Sequence, residues 1–176
     1  MPPLHGGLWC IPIGRAVSLI GGLSLVAAYF MPWFSVEFSG QGISLSGDFL
    51  GRFLGSTTDL RRFVPGASGG QTEVNLLRAL VYLFPASGLL AAVLSLLGTL
   101  QSSSRRLVNA TLVVLGILPL VALAGVTVAA SMTRLPAAAT PDVGLRLIAV
   151  GCIALLAGTV VDAFSARLSP EPKSEP

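Results

Sequence analysis

A short polar turn at 101–106, with the sequence QSSSRR, separates two long apolar runs at 76–100 and 107–132. Each run exceeds the roughly 20 residues that a helix needs to cross the hydrocarbon of a bilayer. Because the turn between them is short, the two helices must lie antiparallel as a hairpin. Its adjacent arginines favour the cytoplasmic side, where basic loop residues are enriched. The sequence therefore predicts a transmembrane helical hairpin with this turn inside.

The composition extends this conclusion to the whole chain. Hydrophobic residues make up 53% of the sequence and charged residues only 11%, whereas soluble domains carry about 25% charged residues. Two more apolar runs, 16–31 and 143–164, bring the number of predicted spans to four. We therefore expect an all-α membrane protein, a four-helix transmembrane bundle in the lipid bilayer, formed by a single integral membrane domain over 1–168. Residues 169–176 are rich in proline and charge and predict a disordered tail.

The longest connection, 32–74, separates the first two spans. Apolar and polar residues alternate on both sides of the Gly-Gln-Gly turn at 40–42, a pattern that predicts a β-hairpin. Apolar residues then recur at helical spacing and predict a short amphipathic helix over 48–54, lying at the membrane surface. Aromatic side chains of this connection are the candidate contacts with a partner: Trp33, Phe34, Phe49 and Phe53.

Helix packing is predicted from small residues in the first run. They recur at i, i+4 and i+8, and such stripes let helices approach closely in lipid; the residues are Gly14, Ser18 and Gly22. We expect this stripe to face another helix. The second and third runs contain Pro85 and Pro119, which predict local kinks.

The fourth span carries an acidic residue, Asp162, in its last turn. A carboxylate there lies at the negative end of the helix dipole and is disfavoured. A cation on another helix would offset this cost, and the four-span topology brings Arg15 and Arg105 to the same end. We predict a structural ion pair between Asp162 and one of these arginines. At the other end of this span, Thr140 is the predicted N-cap.

The first apolar run admits two interpretations. Arg15 at one end and aromatic residues at the other are typical of a transmembrane helix. The sequence Val-Ala-Ala at 26–28 resembles a signal-peptide cleavage site. The run continues beyond this site, which favours a retained helix.

Basic residues divide almost evenly between the two sides of the membrane, so the double-arginine turn decides the orientation. Both termini are then cytoplasmic and 32–74 is outside.

The residue types required by most active sites are scarce. The chain has one histidine, His5, and two cysteines, Cys10 and Cys152, whereas a structural zinc ion takes about four ligands. Ionisable side chains are missing from the middle of the predicted spans, which counts against a proton relay. The arginines are scattered rather than clustered on a nucleic-acid surface. We expect a protein that is not an enzyme, has no cofactor or metal, and binds no nucleic acid.

The exit from the first span, with the sequence YFMPWF at 29–34, is followed by a Gly/Ser-rich extended segment and three more spans. This order resembles small bacterial four-transmembrane-helix proteins of uncharacterised function with a Pro-Trp at this exit, which implies a bacterial plasma membrane. It also resembles the claudin-like tetraspan architecture, in which the first extracellular segment forms a small β-sheet. That family has two cysteines in this segment. Residues 32–74 contain none, so its disulfide and its junction function are not implied.

Two functions remain open at this point. The first is an accessory or scaffold protein whose 32–74 connection contacts a partner, either another membrane protein or a second copy. The second is a small-molecule or lipid carrier that uses Pro85 and Pro119 as flexible points. A water-filled polar cavity between the helices would favour the carrier. A solid bundle with an apolar patch on the outer connection would favour the scaffold.

Overall fold

A computed structural model describes residues 13–38, 41–56, 71–100, 105–132 and 139–168. Its elements, in chain order, are α1 (Ile13–Phe30), β1 (Pro32–Phe38), β2 (Gln41–Ser46), α2 (Gly47–Ser56), α3 (Gln71–Leu100), α4 (Arg105–Met132), β3 (Ala139–Pro141) and α5 (Val143–Leu168). The helices α1, α3, α4 and α5 are each long and apolar enough to cross a membrane. The predicted number of spans is thus confirmed by length and composition. The predicted tail, His5 and Cys10 lie outside the described residues.

The first span is the central helix of the bundle. Its contacts with α5 and with α3 are the most extensive between any two elements, while α4 packs mainly on α5 and less on α3. Leu25, Ala28 and Tyr29 of α1 all belong to the buried core. Cleavage after Ala28 would therefore remove the helix on which two other spans pack, which favours the retained-helix interpretation.

Glycines bring α1 and α5 into direct backbone contact. A Cβ on Gly21 would lie 2.7 Å from the backbone nitrogen of Leu155, and a Cβ on Gly14 would lie 2.5 Å from that of Asp162. On α5, Gly158 lies against Gly14 and Gly151 against Gly21, so the two helices run antiparallel. The glycines on each helix are seven residues apart, about two turns, a spacing suited to helices that cross at a small angle.

The predicted stripe of small residues divides between two neighbours. Gly14 and Ser18 face α5, where the Ser18 hydroxyl donates to the Leu155 carbonyl at 3.4 Å. Gly22 instead faces α3, where an added Cβ would lie 2.7 Å from the Gly88 carbonyl oxygen. Successive i+4 steps rotate by about 40° around a helix with 3.6 residues per turn, so the third member has moved to another face.

A three-stranded antiparallel sheet covers one end of the bundle in the order β2-β1-β3. The predicted hairpin is confirmed as β1 and β2, with Phe38 opposite Gln41. The third strand was not predicted. Thr140, predicted as the N-cap of the fourth span, belongs to this strand instead. The helix α5 begins at Val143, two residues later than a Thr140 cap requires, and the Val143 amide donates to the Asp142 carboxylate at 2.7 Å.

The predicted amphipathic helix is present as α2, slightly longer than the 48–54 expected from spacing. It packs on α3 and contacts α1. The helices α3 and α4 continue through Pro85 and Pro119, and Pro119 is fully buried. Pro119 of α4 therefore lies in the packed interior of the bundle.

Candidate functional site

A buried polar cluster joins the helices at the end of the bundle away from the sheet. The Nη2 atom of Arg15 lies 3.2 Å from Oδ2 of Asp162, and the two side chains are only 2% and 12% exposed. Asn109 of α4 bridges the pair. Its amide nitrogen donates to Oδ2 of Asp162 at 3.0 Å, and its oxygen accepts from Nη2 of Arg15 at 3.4 Å. Three spans thus contribute to one hydrogen-bonded network.

The remaining span, α3, contributes through the absence of a side chain. The Arg15 guanidinium lies directly against Gly98 of α3, where an added Cβ would collide with Nη1. Nη1 is buried and has no hydrogen-bond partner in the described part of the chain. The cluster therefore holds all four spans at one level, because a buried charge is strongly disfavoured away from its partner.

Sequence reasoning found two members of this cluster and missed two. The structure brings Asp162 to Arg15, whereas the Arg105 side chain lies outside the described residues. Asn109 could have been found from the sequence, since it is a polar amide near the start of an apolar run. Gly98 could not, because a glycine near a helix end has many possible roles. The chemistry of the cluster is electrostatic and structural: it contains one cation, one anion and one neutral amide.

Trp33 organises the opposite end of the bundle. Its indole Nε1 donates to the Ala28 carbonyl at 2.8 Å, and its ring packs edge-on against Phe84 with centroids 5.3 Å apart. Glycines flank the indole: a Cβ on Gly47 would lie 2.7 Å from Cζ2, and one on Gly144 would lie 2.6 Å from Cδ1. Trp33 is only 5% exposed. The expectation that it contacts a partner is therefore corrected, since it is a core residue on which α2 and α5 begin.

Two further polar contacts fix the sheet to the bundle. The Asp142 amide donates to the Trp33 carbonyl at 2.9 Å. The Ser35 hydroxyl donates to the Asp142 carboxylate, and this bond, together with the one from the Val143 amide, lowers the pKa of Asp142. Both contacts connect β1 to the start of α5, so the sheet is positioned by the fourth span as well as the first.

Arg78 of α3 caps the end of α2. Its Nη2 donates to the carbonyls of Leu54 and Gly55 at 2.7 and 3.0 Å. Cations are favoured at helix C-termini, where carbonyl groups lack intrahelical partners. This contact spans the connection between the two helices and holds α2 against α3.

An apolar cavity of about 260 Å³ lies between α2, β1 and α3. Every residue that lines it is hydrophobic: Trp33, Phe34, Leu50, Phe53, Leu54, Leu77, Leu80, Val81 and Phe84. Three of the four predicted partner-contact residues thus lie around one cavity. The fourth, Phe49, is 52% exposed and stacks on Phe53 with ring centroids 6.3 Å apart.

Metal-binding chemistry finds no support in the described ranges, where no group of three or more His, Cys, Asp or Glu side chains comes together. Cys152 is a free, buried thiol in the middle of α5. Its environment is that of a small hydrophobic residue.

Comparison with known proteins gave no match: no family model, curated protein or solved structure is significantly similar to this chain. The resemblances drawn from the sequence are therefore supported only at the level of four apolar helices and a small sheet.

Proposed function

We propose that this chain is a non-enzymatic accessory or scaffold protein of a bacterial plasma membrane, and that its 32–74 connection contacts a partner membrane protein or a second copy. The observation that carries this proposal is the layer formed by the sheet and α2. This layer is fixed to the bundle, yet it exposes apolar side chains. Ile43 and Phe49 are 53% and 52% exposed on β2 and α2.

Rigidity of the outer layer supports a docking role. A surface that is already ordered loses little conformational entropy when it binds. Here Trp33, Asp142 and Arg78 each tie the layer to a different span. Exposed aromatic side chains on a rigid surface are frequent energetic centres of protein interfaces.

The carrier remains the second candidate, and the interior packing does not favour it. A carrier of polar molecules requires a hydrated path between spans. The contacts of α1 instead bring glycine backbones together, and the cavity described above lies beside the outer layer, among residues of β1, α2 and α3. Pro119 is packed rather than placed in an open passage.

Site-specific photo-crosslinking tests the scaffold proposal. A photoreactive amino acid replacing Ile43 or Phe49 should give a discrete protein adduct in intact cells, because both positions lie on the exposed layer. The matched control is Val121 of α4, which is 63% exposed but lies on an apolar span. Mass spectrometry of the adduct identifies the partner, and a self-adduct identifies a second copy. Adducts at Val121 alone, or at neither outer position, would contradict the proposal.

The topology gives a separate prediction. In a variant without Cys10 and Cys152, a cysteine at Thr57 should react with an impermeant thiol reagent in intact cells. A cysteine at Ser103 should react only after the membrane is permeabilised, because the double-arginine turn favours the cytoplasm. Labelling at 103 but not at 57 would reverse the orientation while leaving the four spans intact.

A further inference from the structure

We propose that the apolar cavity beside Trp33 is a lipid-binding site that holds an acyl chain of a membrane phospholipid. The proposal does not depend on which partner the outer layer contacts. It follows from three properties of the cavity: its lining, its depth along α3 and the cation at its edge.

The lining excludes water and suits hydrocarbon. A buried water needs two to four polar partners, whereas all nine lining residues of this cavity are hydrophobic. Its volume of about 260 Å³ is larger than the roughly 150 Å³ apolar cavity that stays dry in water and takes up benzene. An acyl chain would bury its methylene groups here without displacing any polar contact.

The depth of the cavity places it beside the bilayer. Its lining residues on α3, Leu77 to Phe84, lie within the apolar segment Val74–Gly98. Phe84 is ten residues beyond Val74, which corresponds to about 15 Å at 1.5 Å per residue. The cavity therefore extends along the outer half of the span. Leu77, one of its lining residues, is 39% exposed, and we infer that lipid chains reach the cavity beside it when α3 spans the membrane.

The edge of the cavity carries positive charge. Arg78 follows Leu77 and lies one turn before Val81, and its guanidinium reaches the last carbonyls of α2. Its Nε atom is buried and has no hydrogen-bond partner among the residues that the structure describes. A cationic edge above an apolar cavity matches a phosphate above an acyl chain.

Trp33 provides a direct probe of occupancy. The chain has two tryptophans, so the Trp9→Phe variant leaves Trp33 as its single tryptophan. This variant is reconstituted in phosphatidylcholine vesicles with dibrominated acyl chains, since bromine quenches tryptophan at short range. Trp33 is buried, and an acyl chain reaches its ring through the cavity. We expect a large loss of Trp33 fluorescence relative to vesicles of the same lipid without bromine.

Filling the cavity should protect Trp33. The variants Leu77→Phe and Leu80→Phe, each made in the Trp9→Phe background, should recover most of the lost fluorescence. Phe53→Ala, which enlarges the cavity, should retain or increase the quenching. Leu89→Phe is the matched control, because Leu89 is on the same helix and exposed but does not line the cavity. Circular dichroism and gel filtration establish that each variant is folded.

Two results would overturn the proposal. One is unquenched Trp33 in the parent, which is expected if a helix of a second copy fills the cavity. The other is equal quenching in the parent and in both filled variants, which would show that bromine acts from outside. Neither result changes the crosslinking expected at Ile43 and Phe49, so the scaffold proposal is tested separately.

Discussion

Replacing Asp162 by alanine is expected to lower the free energy of unfolding by about 3–5 kcal/mol, the cost typical of leaving one charge of a buried pair without its partner. The Arg15 side chain is 2% exposed and its guanidinium lies 3.2 Å from the carboxylate, so the variant leaves a buried cation without its anion. Asn109 would lose an acceptor at the same time. Denaturant or thermal unfolding in detergent measures the change.

Three variants separate this charge effect from a general loss of packing. Asp162→Asn keeps an oxygen acceptor for Arg15 and should lose less stability than alanine. The double variant Arg15→Met with Asp162→Leu removes both charges and should recover much of the loss, as apolar replacements of buried pairs often do. Asp48→Asn is the control, because its partner Arg52 is exposed and such pairs contribute about 0–1 kcal/mol. An Asp162→Ala effect no larger than that of Asp48→Asn would contradict the buried-pair interpretation.

The cluster shows how far sequence reasoning reaches. Asp162 was identified because its position on a helix is unfavourable by itself, and the four-span topology then restricted its partners to one end of the bundle. Asn109 and Gly98 depend on how α4 and α3 rotate about their axes. That rotation follows from side-chain packing between helices, which hydropathy along one run does not contain.

In the outer layer, too, the features that depend on contacts between distant residues could not be predicted from the sequence. The hairpin was predictable because alternation and its Gly-rich turn are local signals. The third strand pairs Ala139–Pro141 with residues of β1 about a hundred positions earlier, and three residues are too few to show alternation. Trp33 was placed at a surface because aromatic residues flank spans. Its burial depends on Gly47 and Gly144, which meet at the indole only after folding.

Gly22→Leu is the second substitution for which we expect a large effect. A Cβ at this position would lie 2.7 Å from the Gly88 carbonyl oxygen and 3.0 Å from the Ala92 amide nitrogen. Both are backbone atoms of α3, so the new side chain is accommodated only if α1 and α3 separate. Overpacking of this kind costs typically about 1–3 kcal/mol. We expect a lower midpoint of thermal unfolding in detergent, and Gly22→Ala should cause a smaller decrease.

Gly125→Leu is the matched control for this prediction. Gly125 lies on α4, and an added Cβ there would meet nothing within 4 Å. The same change of residue should therefore leave stability unchanged or raise it slightly, since leucine has a higher helix propensity than glycine. Equal effects of Gly22→Leu and Gly125→Leu would mean that side-chain volume at the α1–α3 contact does not limit packing. A loss confined to Gly22→Leu would instead show that α3 is held against α1 by backbone contact, which sets the position of α3 beneath the outer layer.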